Sequence, residues 1–298
     1  MDVVVSGSHG LIGSALVPAL TAAGHRVRRL VRGSPGPGEV AWDPEAGTVD
    51  AGGLAGADAA VHLAGVGIGD KRWTTTQKQR IRDSRVKGTG TLARALAGLP
   101  TPPAVLVSGS AVGYYGDRGD EVLTEASGPG EGFLAEVVRD WEEAAAPAAE
   151  AGVRVVHTRT GIVQAAHGGA LARQLPMFRL GVGGPLGPGR QWVSWVSLDD
   201  EVGAIVHALT TESLRGPVNL CAPEPTTSAG LAKAIGKALH RPALVPVPRF
   251  ALSLVVGRQM TEEMVLASQR AVPEKLLASG YRFRHPDIAA AMHDLLHR

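Results

Sequence analysis

The N-terminus of the chain places three evenly spaced glycines between a β-branched run, Val3–Val5, and an apolar helical pattern. In a strand–turn–helix of this kind, the first glycine permits a sharp turn and the second lets the backbone approach a pyrophosphate. The third lets the helix pack closely on the strand, so that its first N–H groups point at the phosphates. The stretch therefore predicts a dinucleotide site formed by Gly7, Ser8, Gly10, Leu11, Ile12 and Gly13.

Spacing alone is a weak signal in this chain. With 39 glycines in 298 residues, the same pattern is expected by chance roughly 0.6 times. Two further matches occur at 113–119 and 181–187, but neither lies between a strand and a helix. The context of the first match is what favours dinucleotide binding over a glycine turn of purely structural importance.

Composition excludes several classes of function. A net charge of +2 argues against nucleic acid as the main partner. No apolar run reaches the roughly 18 residues of a membrane span, and the N-terminus enters a strand rather than a signal peptide. The single cysteine, Cys221, permits no internal disulfide and no His/Cys cluster has metal-ligand spacing. We therefore expect a cytoplasmic protein, monomeric or homodimeric, with a small-molecule substrate, no membrane partner and no metal.

Strand and helix patterns alternate over the first 160 residues, which predicts an α/β fold with a Rossmann-type, doubly wound parallel sheet. Strands are expected at about 26–31, 58–63, 104–108 and 154–158, and helices at about 10–23, 75–96 and 131–149. Residues 1–160, with 194–222 returning to them, form the predicted dinucleotide-binding domain. Residues 161–193 and 223–298 form a smaller substrate-side lobe, in which the glycine-rich stretch 168–189 is expected to cover the cleft.

The end of the second strand indicates which dinucleotide binds. An acidic residue there favours the ribose hydroxyl of NAD, and a basic residue favours the 2′-phosphate of NADP. This strand ends in Val31-Arg32, with no acid before Glu39. We predict NADP(H) with Arg32 on the phosphate, the alternative being a solvated arginine. The small residues in Leu63-Ala64-Gly65 would let the cofactor's ribose lie close, whereas His62 within that strand is expected to be a core residue.

The carboxyl ends of parallel strands bind ligands, so Ser108 and Ser110 are predicted to meet the nicotinamide or the substrate. Tyr114 and Tyr115 follow shortly afterwards. Trp192 and Trp195 are near the same cleft by this reading, in a chain with 4% aromatic residues. Either these two tryptophans line a site for a flat, weakly anionic ligand, or they are core residues.

Together these segments resemble the extended short-chain dehydrogenase/reductases. The shared pieces are the glycine turn, His62-Leu63-Ala64-Gly65, Val86-Lys87-Gly88-Thr89, the stretch 108–116 and Leu198-Asp199-Asp200. A closer similarity is to an atypical, epimerase-like subgroup with a cell-division-inhibitor-like annotation and its own C-terminal segment. It is carried by Lys71-Arg72-Trp73-Thr74, Asp83-Ser84-Arg85, 110–116, Gly189-Arg190-Gln191-Trp192 and Ser268-Gln269-Arg270-Ala271-Val272-Pro273. The resemblance implies a Rossmann-type domain and NADP(H) binding, without implying a substrate.

The chain departs from that family at its catalytic residues. Extended members use an Asn, a Ser or Thr, and a Tyr with a Lys four residues later. Here Arg85 stands at the Asn position and Ser110 at the Ser position, but Phe133 and Val137 replace the Tyr and the Lys. Since neither replacement can exchange a proton, Tyr114 or Tyr115, polarised by Arg85, are the predicted substitutes.

A second departure concerns substrate binding. Val193 stands where an arginine grips the diphosphate of nucleotide sugars, and Arg190 is the nearest replacement. The leading hypothesis is an NADP(H)-dependent oxidoreductase or epimerase-like enzyme acting on a small carbonyl or quinone. The alternatives are an NADP(H)-dependent sensor or interaction protein that has lost catalysis, and a nucleotide-sugar epimerase.

Overall fold

The computed structural model describes residues 1–298. Its strands are β1 (Asp2–Ser6), β2 (Arg26–Val31), β3 (Glu39–Asp43), β4 (Thr48–Val49), β5 (Ala59–His62), β6 (Val105–Ala111), β7 (Val122–Leu123), β8 (Arg154–Thr160), β9 (Ile162–Ala165), β10 (Trp192–Val193), β11 (Trp195–Ser197), β12 (Gly216–Leu220), β13 (Thr226–Thr227) and β14 (Arg270–Ala271). Its helices are α1 (Leu11–Ala22), α2 (Ala51–Leu54), α3 (Thr75–Ala97), α4 (Phe133–Glu143), α5 (Ala146–Glu150), α6 (Gly169–Arg179), α7 (Leu198–Thr210), α8 (Ser228–Ala238), α9 (Arg249–Val256), α10 (Arg258–Met260), α11 (Glu274–Ala278) and α12 (Ile288–His297). A 3₁₀ turn covers Val112–Tyr115 and a π turn covers Thr261–Val265.

Eight strands form the central sheet in the order β12-β8-β6-β5-β1-β2-β3-β4. All neighbours are parallel except β3 and β4, which form an antiparallel hairpin. The strand order reverses at β1, which has β5 on one side and β2 on the other. A crevice therefore opens beyond the carboxyl end of β1, which is where this architecture binds nucleotides. The predicted fold class is confirmed.

Hydrophobic residues bury both faces of the sheet. One cluster joins β1, β5, β6, β8 and β12 to α1 and α7, and a second joins the opposite face to α3 and α5. A third cluster lies outside the sheet and packs α6, α8 and α12 around Trp195. No helix combines the length and apolar composition needed to cross a bilayer.

Two elements differ from the sequence-based expectation. The helix expected at 131–149 is broken after Glu143, and α5 begins anew with Pro147 in its first turn. Proline lacks the N–H that would continue the first helix but fits the first turn of the next one. The strand expected to end at Ser108 continues as β6 to Ala111, because β8 also continues and pairs Ser110 with Arg159.

Candidate active site

The glycine turn after β1 is shaped by contacts within its own backbone. Gly7 has a φ of +68°, and a Cβ there would lie 2.6 Å from the carbonyl carbon of Leu63. A Cβ on Gly13 would lie 2.2 Å from the Gly7 oxygen. A Cβ on Gly10 would meet only that same oxygen, at 3.3 Å. The turn therefore requires Gly7 and Gly13 for its own packing and leaves open space over Gly10.

The start of α1 presents unpaired donors at this turn. Gly10 is the N-cap and provides no side chain, and the first turn contains no acidic residue. The N–H groups of Leu11, Ile12 and Gly13 have no helical carbonyl to bond. Ser8 lies buried next to them. The cradle therefore fits the pyrophosphate of a dinucleotide, which would accept hydrogen bonds from these N–H groups.

Ser6 connects the ends of β1 and β5. Its hydroxyl oxygen accepts hydrogen bonds from the N–H groups of Leu63 (3.1 Å) and Ala64 (3.3 Å), and it lies 2.7 Å from Nδ1 of His62. Burial lowers the pKa of His62 to about 4, so its ring is neutral at pH 7. His62 thus lies in the core, as expected, and holds the Leu63-Ala64-Gly65 segment beside the glycine turn.

Arg85 supports that segment from α3. Its guanidinium donates to the carbonyls of Val66 (2.9 Å) and Ile81 (3.2 Å), and a Cβ on Gly65 would lie 3.5 Å from it. Burial lowers the pKa of Arg85 to about 10. The structure thus places Arg85 against the predicted ribose-binding loop, and its guanidinium carbon lies 5.0 Å from the centre of the Trp141 ring. None of the hydrogen bonds of Arg85 reaches a tyrosine.

The arginines of β2 have different surroundings. Arg28 is bound to Asp2 (2.8 Å) and to the carbonyl of Ala55 (3.1 Å), so it is already used within the fold. Arg32, one residue beyond the strand, is exposed and has no ion-pair partner. This placement leaves Arg32 available to a phosphate beside the crevice.

Ser108 and Ser110 are both buried on β6. The Ser108 hydroxyl has no hydrogen-bond partner, which is unusual for a buried polar atom and suits a site completed by a ligand. The Ser110 hydroxyl donates to Glu142 at 2.6 Å. Arg159 in turn donates two hydrogen bonds to Glu142, at 2.8 and 2.9 Å. Burial alone would raise the pKa of Glu142, but the hydrogen bonds and charge of Arg159 lower it overall.

Tyr115 lies within the protein rather than in a cleft. Its ring is fully buried, and its hydroxyl bonds Asn219 (2.7 Å) and the carbonyl of Thr124 (3.0 Å) and accepts from Arg159 (3.1 Å). Burial is the main reason that its pKa is raised to about 12, despite the opposing effect of Arg159. This environment favours a structural role for Tyr115 over the predicted catalytic one.

Tyr114 differs from Tyr115 in its burial and in the hydrogen bonding of its hydroxyl. It is half-buried, and its hydroxyl has no hydrogen-bond partner in the protein. The Arg159 guanidinium lies 3.5 Å from the centre of its ring, a cation–π contact. Tyr114 is therefore held in place by its ring while its hydroxyl stays free.

Phe133 and Val137, at the positions expected for the family's Tyr and Lys, lie on α4 and pack against neighbouring side chains. Val137 is buried, and the Phe133 ring packs on Trp73 at 5.2 Å. The Lys78 ammonium lies 5.4 Å from the centre of the Phe133 ring and donates to Gln259 at 3.2 Å. An ionisable group thus lies next to the aromatic ring, although it comes from a different helix.

The C-terminal segment closes the site over the start of α4. Glu263, in the π turn, accepts hydrogen bonds from the N–H of Leu134 (3.1 Å) and from Gln259 (2.7 Å). A cavity of about 160 Å³ lies between this turn, the 3₁₀ turn and α4. On the other side of the crevice, a Cβ on Gly168 would lie 2.6 Å from the Leu11 side chain. The glycine-rich stretch therefore reaches the start of α1, as expected of a cover.

The two tryptophans predicted near the cleft have separate positions. Trp195 is fully buried in the third core cluster and donates to the carbonyl of Glu224, which favours the core alternative for it. Trp192 is half-buried, donates to Asp120 at 2.8 Å and stacks under Arg270 at 4.4 Å.

Sequence reasoning missed the pair Glu142 and Arg159, and it missed Lys78. A signal was present for Arg159, because this charged residue directly follows the predicted strand 154–158 at its carboxyl end, where parallel sheets bind ligands. Glu142 gave no such signal, since acidic residues are ordinary at the end of an amphipathic helix. The one cluster of potential metal ligands, Asp199, His285 and Asp294, is bonded to Arg298 and is an ion-pair network.

Comparison with known proteins identifies the family. Residues 3–221 match the NAD dependent epimerase/dehydratase family, and residues 247–295 match a domain of unknown function (DUF1731). The chain belongs to the NAD dependent epimerase/dehydratase family. The epimerase-like resemblance, including the separate C-terminal segment, is confirmed. An epimerase family protein of Mycobacterium bovis is 44% identical over 97% of this chain and 96% of its own length.

Two crystal structures extend the comparison. The human epimerase family protein SDR39U1, solved with NADPH, has a TM-score of 0.92 and 38% identity, covering 99% of both chains. Its cofactor agrees with the one predicted here. The nucleoside-diphosphate sugar epimerase from Corynebacterium glutamicum has a TM-score of 0.80 and 40% identity, covering 99% of this chain and 58% of that one.

Proposed function

We propose that this protein is an NADP(H)-dependent oxidoreductase of the epimerase-like type, acting on a small carbonyl compound or quinone. The observation that carries the cofactor assignment is the open glycine cradle at α1 with the unpaired, exposed Arg32 beside it. The human relative solved with NADPH supports the same assignment.

The chain's own residues would hold each part of the cofactor. The N–H groups of Leu11, Ile12 and Gly13 would bind the pyrophosphate, and Arg32 would bind the 2′-phosphate. The Ala64-Gly65 segment, braced by Arg85, would lie against the ribose. NADPH, when bound, supplies the hydride, and the protein must supply the matching proton.

The proton donor that the geometry supports best is Tyr114. The single proton of the Ser110 hydroxyl is directed at Glu142, so Ser110 faces other groups as an acceptor. Tyr115 has both its donor and its acceptor capacity used inside the core. Tyr114 keeps a free hydroxyl while its ring is held by Arg159, and a carbonyl oxygen could accept a hydrogen bond from that hydroxyl.

The cofactor assignment is tested by calorimetric titration of the protein with NADPH and NADH. Arg32→Asp removes a charge-assisted bond and adds a repulsive charge, so we expect NADPH affinity to fall by roughly ten- to a hundred-fold. NADH affinity should change little. Arg94→Asp, at an exposed position of α3, is the matched control. Equal losses for both nucleotides would refute the role of Arg32.

The reaction is tested by following NADPH absorbance with a panel of small carbonyl compounds and quinones. Tyr114→Phe should abolish consumption without changing NADPH affinity, whereas Tyr115→Phe should retain it. The alternative, a sensor that has lost catalysis, is favoured by Phe133 and Val137. That alternative would be supported if NADPH binds tightly and no compound consumes it. A nucleotide-sugar epimerase would instead be stabilised against unfolding by nucleotide sugars.

A further inference from the structure

Helix α9 is unusual because none of its residues is buried. Phe250 and Leu254 are each 70% exposed and Val255 is 72% exposed. The segment that leads into the helix also exposes apolar side chains, with Leu244 82% and Val245 51% exposed. Soluble proteins rarely leave so many large apolar side chains together in water unless the surface binds something.

Phe250 and Leu254 are one helical turn apart and share one face of α9. Val255 lies about 100° further round the helix, and all three side chains are exposed. Val245 is held by a hydrogen bond from its N–H to the Gly183 carbonyl, four residues before α9 begins at Arg249. We call Leu244, Val245, Phe250, Leu254 and Val255 the α9 face.

Basic side chains surround the α9 face. Arg249 begins the helix and Arg258 follows its end, and both are exposed. Arg72, with Lys71 beside it, reaches across from the loop before α3 and donates to the carbonyls of Leu254 and Val255. The one carboxylate that pairs with this group is Glu262, bonded to Arg249 at 2.6 Å. The rim of the α9 face therefore carries a net positive charge.

We propose that the α9 face docks peripherally on an anionic lipid surface. Apolar side chains on a short helix enter the boundary between headgroups and acyl chains, and Lys and Arg at the rim attract anionic headgroups. A second copy of the chain fits less well, because symmetrical contact would bring the same basic rims together. The sequence-based expectation of no membrane partner rested on the length of apolar runs, and peripheral docking requires no span.

Docking in this way would turn the substrate side of the molecule toward the lipid. The chain passes from α9 through α10 into the π turn, where Glu263 closes the cavity over α4. A lipid-dissolved quinone or carbonyl compound would thus lie close to the site. The docking itself is independent of the proposed function and can be tested without a substrate.

The test is co-sedimentation of the full chain with vesicles of phosphatidylcholine alone or with phosphatidylglycerol. We expect binding to the anionic vesicles, at least roughly ten-fold weaker binding to neutral ones, and loss of binding at high salt. The double variant Phe250→Gln and Leu254→Gln should lose binding while folding normally, since neither side chain is buried. Leu277→Gln, at a position 49% exposed on α11, is the matched control.

Several outcomes would overturn the proposal. Failure to sediment with anionic vesicles, or equal sedimentation of the double variant, would exclude lipid docking by the α9 face. A dimer in light scattering that the double variant abolishes, without vesicle binding, would assign the face to a second copy. NADPH affinity of the double variant should equal that of the unmodified protein, so this result is separable from any failure of the proposed function.

Discussion

Glu201 on α7 allows a quantitative prediction about stability and pH. Its side chain is completely buried. One oxygen accepts a hydrogen bond from the Thr160 hydroxyl at 2.8 Å, and the other has no partner. Burial, opposed only by the bond to Thr160, raises the pKa of Glu201 from its ordinary value of 4.5 to about 8. The folded protein therefore binds a proton at pH 7 that the unfolded chain releases.

The sign of the effect follows from this difference in proton binding. Between pH 4.5 and 8 the folded state holds the proton and the unfolded state does not, so rising pH favours unfolding. Each pH unit in that window costs about 1.4 kcal/mol, which amounts to at most about 5 kcal/mol across it. Below pH 4.5 both states are protonated and the contribution is constant.

The substitution Glu201→Gln removes the titration and keeps the shape of the side chain. We compare the free energy of unfolding of this variant with that of the unmodified protein at each pH. The advantage of the variant should be several kcal/mol larger at pH 8 than at pH 5. Urea unfolding followed by circular dichroism at both pH values measures the difference. Glu136→Gln, at an exposed position of α4, should show no such dependence. A gain in stability that is the same at both pH values would refute the reasoning.

Three further predictions concern the glycine turn and Tyr115. Gly13→Ala should destabilise the fold by about 1–3 kcal/mol, because the new Cβ would clash with backbone atoms that cannot move aside. Urea unfolding measures the loss, and the control is Gly128→Ala, whose Cβ would have no neighbouring atom within 4 Å. Gly10→Ala should leave stability within about 1 kcal/mol but abolish NADPH binding in a titration, and tight binding by that variant would contradict the cradle. Tyr115→Phe should cost about 1–3 kcal/mol of stability, because it leaves buried Asn219 without its donor, and should keep NADPH affinity.

The sequence predicted most of the fold because the features that determine it are local. The turn after β1 and the periodicity of α1 and α3 each depend on a few neighbouring residues. The errors lay at the ends of elements, because the length of a strand depends on the strand that pairs with it. The last three residues of β6 extend the strand only because β8 runs alongside them, and β8 begins more than forty residues later in the chain.

The candidate site was less accessible to sequence reasoning because distance along the chain hides its polar network. Ser110 and Glu142 are 32 residues apart, and Tyr115 and Asn219 are 104 apart. Tyr114 and Tyr115 were indistinguishable as letters in a sequence. Their difference arises in the fold, where the 3₁₀ turn directs the Tyr115 ring into a small core cluster and leaves the Tyr114 ring at its edge. The other members of that cluster are Val112, Leu123, Cys221 and Ala271.

The replacement of the family's Tyr and Lys by Phe133 and Val137 has a consistent physical interpretation. A tyrosine on α4 needs a nearby lysine to favour its ionised form, so neither residue serves proton transfer once the other is replaced. In this chain the cation next to an aromatic pair is Arg159, which contacts Tyr114 at 3.5 Å and Tyr115 at 5.2 Å. Arg159 forms an ion pair with Glu142, which also accepts a hydrogen bond from Ser110. The charged and aromatic groups of this network thus meet where Arg159 on β8 contacts Tyr114 and Glu142 at the end of α4, and Tyr114 is the residue that we propose as the proton donor.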